Sequence, residues 1–156
     1  MFSLWVDADS CPVEIRKLLI RFSNRLEIPL YYVANRMIPH EEAKYFKMII
    51  TSTDEGSADD YIVENASPED LVITRDIPLA ARLVSKGLTC LNDRGDIFTE
   101  ENIGEKLALR NLNLDLFMQG LKAESHTQLG KKEMNRFANA LDRLIQKKLK
   151  EIKTDF

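Results

Sequence analysis

Seven aspartates stand where their chemistry could be pooled. Asp7 and Asp9 follow the short apolar run at residues 2–6, in Trp5-Val6-Asp7-Ala8-Asp9-Ser10-Cys11-Pro12. Asp54 follows Phe46-Lys47-Met48-Ile49-Ile50-Thr51, and Asp59 and Asp60 come next in Ser57-Ala58-Asp59-Asp60. Asp76 closes Ile73-Thr74-Arg75-Asp76, and Asp93 sits in Asn92-Asp93-Arg94-Gly95. If the apolar runs are parallel strands, all these acids fall at the carboxyl edge of one sheet, where ligands of open α/β sheets bind. Carboxylates brought together repel unless a cation neutralises them. Hard oxygen ligands select Mg²⁺ or Mn²⁺. Such ions also activate water for attack on a phosphodiester, so the expected nucleophile is water and not a side chain. Asp7, Asp59, Asp60 and Asp76 are the expected catalytic and metal-binding set, with Asp9 and Asp93 as supporting ligands.

Each acid also admits a local role. Ser57 and Asp60 have capping-box spacing. Asp76 could cap a helix starting near Pro78. Asp93 could serve the turn before Gly95. It is the shared edge that favours a site.

Arg75 and Arg94 lie beside these acids and suit phosphate binding. Arg110 shares a helical face with Ile103, Leu107 and Leu114, so it is expected to point inward, pairing with an acid or holding a substrate phosphate. His40 and His126 fall in polar loops and read as surface residues. Cys11 precedes a helix, where a thiol pKa can fall. Yet Arg16 is one position short of what a thiol phosphatase loop requires, and Cys11 reads as a small packing residue. The chain has no glycine-rich phosphate loop and no serine nucleophile elbow.

These residues must be positioned by ordinary soluble-domain chemistry. The chain has 156 residues, 44% of them hydrophobic, enough for one domain spanning 1–156 with its own core. A net charge of −3 gives no global basic field for nucleic acid. The charge is uneven, however: residues 131–150 carry a net +5, leaving −8 on the rest. Two cysteines exclude a disulfide scaffold. No apolar run approaches a membrane helix, and the start has no signal-peptide pattern, so the expectation is a cytoplasmic protein with no membrane partner.

Periodicity supplies the elements. Ile15, Leu18, Leu19, Phe22 and Leu26 fall at helical spacing until Pro29. Further strands are expected at 30–34, 46–51, 71–74 and 88–91. Helices are expected from Ser57 to about Ala66 and along Leu79, Ala80, Leu83 and Val84, the latter ending at Gly87. Residues 35–43 read as loop or a short helix. This alternation predicts an α/β fold with a mostly parallel sheet of about five strands over residues 1–98. Two C-terminal helices, 100–119 and 131–150, complete it over 99–156, joined by the polar stretch 120–130. Met134, Phe137, Ala138, Leu141, Leu144, Ile145 and Leu149 form a stripe expected to pack on the sheet.

The motifs quoted above, with Val33-Ala34-Asn35, Ala58-Asp59-Asp60, Val72-Ile73-Thr74-Arg75-Asp76-Ile77-Pro78-Leu79-Ala80, Glu101-Asn102-Ile103 and Leu109-Arg110, resemble the YaiI/YqxD family of uncharacterised bacterial proteins. The resemblance runs in order over nearly the whole chain. It implies a PIN-like three-layer sandwich, a fold whose better-known relatives are Mg²⁺- or Mn²⁺-dependent ribonucleases. The pattern departs after Gly120: Glu124-Ser125-His126-Thr127-Gln128-Leu129-Gly130 replaces a glycine-glycine-proline segment, and Asn135-Arg136 stands where Asp-Arg is usual.

The leading expectation is thus a metal-dependent nuclease acting on RNA, with phosphates on Arg75, Arg94 and the basic last helix. One rival is a phosphatase resembling the haloacid-dehalogenase class, with Asp7 phosphorylated and Asp9 as general acid. The other is a non-catalytic module that binds metal or nucleotide. Assembly into a homo-oligomer is compatible with either.

Overall fold

Alternation along each strand assigns its side chains to two different cores. Leu4, Val6, Leu30, Tyr32, Leu71 and Ile73 point into one, with Ile15, Leu19, Phe22, Phe137, Leu141 and Ile145. Trp5, Val33, Val72 and Cys90 point into the other, with Ile62, Leu79, Leu83, Val84 and Phe98. A sheet covered on both faces has no reason to alternate polar with apolar, which is why its strands read as continuous apolar runs.

A computed structural model describes residues 1–120 and 129–154. The strands are β1 (Leu4–Asp7), β2 (Leu30–Ala34), β3 (Phe46–Ile50), β4 (Leu71–Ile73), β5 (Thr89–Leu91) and β6 (Ile97–Phe98). The helices among the described residues are α1 (Val13–Leu26), α2 (Ser57–Asn65), α3 (Ile77–Ser85), α4 (Ile103–Met118) and α5 (Lys131–Thr154). They form one six-stranded sheet in the order β3-β2-β1-β4-β5-β6. The first five strands are parallel and β6 is antiparallel to β5. The five apolar runs thus join one sheet as expected, and a sixth strand is added. Helices α1 and α5 cover one face, α2 and α3 the other, with α4 against α3. Residues 35–43 are loop. Among the described residues no helix is long and apolar enough to cross a membrane. His126 and most of the divergent 120–130 stretch lie outside the described residues.

Sequence chemistry explains the ends of the elements. Asp76 caps α3 as expected, its Oδ1 accepting from the Leu79 amide at 3.0 Å. Gly87, at φ +86°, closes the same helix, and the Leu88 amide reaches back to the Leu83 carbonyl. The expected capping box at Ser57 and Asp60 does not form. Gly56 occupies the N-cap position, and the Ser57 hydroxyl donates to the Ser52 carbonyl at 2.6 Å.

At the amino edge, Asp70 is buried and ties three segments together. It accepts from the Ser3 amide (2.8 Å), the Trp5 indole N–H (2.9 Å) and the Ser67 amide (2.9 Å). At the carboxyl edge, Gly95 in the β5–β6 turn has φ +86°, and a Cβ there would stand 2.8 Å from the Arg136 carbonyl oxygen of α5. Only glycine lets the turn approach the helix backbone so closely.

Candidate active site

Strand β1 ends at Asp7, which shares the sheet face of Trp5 and so points toward α2 and α3. The register Val6↔Ile73 sets Thr74 beside it. Both the Thr74 hydroxyl (3.0 Å) and the Ser10 hydroxyl (3.1 Å) donate to Asp7 Oδ2. The Thr74 oxygen in turn accepts from the Asp76 amide at 3.0 Å, so one hydroxyl orients two acids. Asp59 arrives from the first turn of α2. One carboxylate oxygen each from Asp7, Asp59 and Asp76 lies within 4.8 Å of the other two.

The electrostatics follow from that crowding. Burial pushes the Asp7 pKa up, the Thr74 and Ser10 hydroxyls oppose it, and the charges of Asp76 and Asp9 add to it. Asp59 is pushed up to about 6, by burial first and then by Asp76 and Asp7, with Arg82 opposing. A carboxyl raised in the folded chain keeps its proton where the unfolded chain has lost it. Its stabilising contribution is present at low pH and is lost as pH rises from 3.8 through about 6. The metal-free chain should therefore melt at a higher temperature at pH of about 5 than at about 7, and Asp59→Asn should flatten that dependence. Thermal melts in EDTA check this; an equal slope in the variant would show that Asp59 is not the group responsible.

The donor set suits a hard divalent ion. The three oxygens lie within 4.8 Å of one another, close enough for one divalent ion to draw them together. Three carboxylates leave a site that a single 2+ charge nearly neutralises. Asp7, Asp59 and Asp76 are the residues that could hold it.

The remaining expected residues fall outside the triad. Asp60, one position after Asp59 on α2 and about 100° away around the helix, is exposed and pairs with Arg82 at 2.9 Å. Asp9 pairs with Arg36 at 2.9 Å. Asp93 is buried and takes the Arg75 guanidinium; it does not close its own turn. Asn92 does that, its Oδ1 accepting from the amides of Arg94 and Asp96 at 2.9 Å each. Arg75, half exposed, lines the same small depression as Asp7, Ser10, Thr74 and Asp93. Arg94 sits at the tip of that turn. Arg110 departs from expectation: α4 buries no residue, and the Arg110 guanidinium donates along the helix to Asn111 Oδ1 at 3.1 Å. Cys11 is buried and its thiol is pushed up to about 12, chiefly by burial, which suits packing and not nucleophilic attack. His40 is exposed, as expected.

Sequence reasoning missed Thr74 and Ser10. The signal was present in Thr74-Arg75-Asp76, a hydroxyl two residues before an acid that can take its backbone N–H.

Comparison with known proteins finds relatives over nearly the whole chain. The family model described as "Uncharacterized BCR, YaiI/YqxD family" matches residues 5–147. A "UPF0178 protein" of Treponema denticola is 49% identical over 148 residues, covering 95% of this chain and 94% of its own length. Another of the same name from Citrifermentans bemidjiense is 45% identical, covering 95% and 96%. No solved structure matches the chain. With a family model spanning nearly all of the chain and relatives this close over nearly full length, the protein belongs to the YaiI/YqxD family.

Proposed function

We propose that the protein is a Mg²⁺- or Mn²⁺-dependent ribonuclease of PIN-like fold. The observation that carries the reading is the triad: three carboxylates from β1, α2 and the β4–α3 turn, converging within 4.8 Å at the sheet's carboxyl edge. The choice of RNA and of a PIN-like fold rests on the motif resemblance. Asp7, Asp59 and Asp76 hold the ion, Thr74 fixes the first and last of these, and Ser10 steadies Asp7. When bound, the ion lowers the pKa of a water and offsets the phosphate charge. Arg75, held from behind by buried Asp93, meets the phosphate from the side with its exposed half. The haloacid-dehalogenase-like reading needs Asp9 free to move a proton, and here Asp9 is engaged by Arg36.

Purified protein and a labelled single-stranded RNA pool test this. Cleavage is expected with Mn²⁺ or Mg²⁺ and is expected to stop with EDTA. Cleavage that persists in EDTA, or equally in Asp59→Asn prepared identically, would belong to a contaminant and end the assignment.

A further inference from the structure

Four arginine–aspartate pairs surround the triad: Arg36–Asp9, Arg75–Asp93, Arg82–Asp60 and Arg136–Asp96. The three pairs whose members both reach solvent add little to stability, and in the fourth buried Asp93 holds a half-exposed Arg75, so stability alone does not account for the set. What each pair does is hold a guanidinium at a fixed place. Arg36 is engaged through Nε, and Arg75 and Arg136 through Nη2; their side chains stay 64%, 50% and 63% exposed. Each has donors left over, and much of the ordering cost of binding an anion is already met.

The sheet order places these arginines on both sides of the triad. Arg36 follows β2, on one flank of Asp7. Arg75 is anchored to Asp93 after β5 on the other, and Arg136 lies beyond it, where Asp96 and Gly95 touch α5. From β2 to β5 is three strand intervals, roughly 14 Å at about 4.8 Å each. A free nucleotide or phosphomonoester seated on the triad reaches one flank only. A chain with phosphates before and after the reacting one reaches both. Asp7, the innermost of the three acids, is only 7% exposed, and a flexible single strand brings a phosphate to a recessed carboxylate more readily than a stiff duplex does.

We infer that the site takes an internal linkage of a single-stranded polynucleotide, with flanking phosphates held by Arg36 on one side and by Arg75 and Arg136 on the other. This rests on the nuclease reading for where the reacting phosphate sits, but its test does not need turnover. Fluorescence anisotropy with a labelled single-stranded RNA oligomer, in Ca²⁺, gives Kd and its salt dependence. The variants are Asp9→Asn/Arg36→Gln and Asp96→Asn/Arg136→Gln. Each removes both charges of a pair, so a loss of binding cannot come from an acid left bare. Each should raise Kd about five- to tenfold and reduce the salt slope by about one. Glu14→Gln/Lys17→Gln, which removes an ion pair on α1, is the control expected to bind as wild type. Unchanged binding in either arginine variant, or a nucleotide monophosphate competing as tightly as the oligomer, overturns the two-sided track. Two-sided binding without cleavage in Mn²⁺ overturns the nuclease reading alone. Cleavage with binding indifferent to both pairs overturns this inference alone.

Discussion

Replacing Asp7 with Asn is expected to lower Mn²⁺-dependent RNA cleavage about a hundredfold or more, without lowering the melting temperature of the metal-free chain. The two effects separate because Asp7 is buried among its own kind. Its carboxylate lies within 4.8 Å of those of Asp59 and Asp76, and burial already disfavours its charge. An Asn keeps an oxygen for the Thr74 and Ser10 hydroxyls and offers an N–H toward the two remaining acids. The apo chain therefore loses repulsion and keeps its bonds, while the ion loses a charged ligand. Initial rates with Mn²⁺ and melts in EDTA, on the same preparation, read both. A melting temperature about 10 °C lower would make Asp7 a structural partner instead, since a drop of that size in a chain this long means roughly 3 kcal/mol.

Asp70→Ala should do the opposite, destabilising the fold by about 3 kcal/mol or more while leaving the triad's own bonds in place. Three donors lose their acceptor at once: the Ser3 amide, the Ser67 amide and the Trp5 indole N–H. A buried donor without a partner costs about 1–3 kcal/mol, which falls in full on the Trp5 indole N–H and in part on the two half-buried amides. Denaturant unfolding monitored by Trp5 fluorescence gives the number, and Trp5 is the only tryptophan in the chain. A loss under about 1 kcal/mol would mean that the loop relaxes and rehydrates these groups.

The contrast between these two aspartates shows what the sequence could and could not say. The five parallel strands were legible because each is an apolar run ended by a turn. The pooling of Asp7, Asp59 and Asp76 was legible because parallel strands put all such turns on one edge. Preferring Asp59 to Asp60 rested on a capping box for Asp60 that does not form; the actual reason is that adjacent helical residues diverge by about 100° and the docking of α2 turns Asp59 inward. Strand β6 is two residues long, too short for any periodicity. Nothing in the sequence marks Asp70, because its partners at Ser3 and Trp5 are more than sixty residues away. The Arg136–Asp96 pair spans 40 positions and is equally silent in one dimension. Arg110 misled because α4 carries apolar residues on every side, including exposed Leu109, Leu112, Leu114, Phe117 and Met118, so no single face marks its interior.

The glycine contact between the β5–β6 turn and α5 bears on the order in which the protein is made. Gly95 leaves the ribosome about forty residues ahead of the helix segment it rests on. Until α5 arrives, the sheet face carrying Leu4, Val6 and Ile73 lacks Phe137, Leu141 and Ile145, and the turn that carries Asp93 lacks its support. A nascent chain holding every acid of the triad is then still short of a finished rim. The site becomes complete only once α5 has been made, and a chain cut short before α5 exposes apolar sheet surface of the kind that quality control recognises.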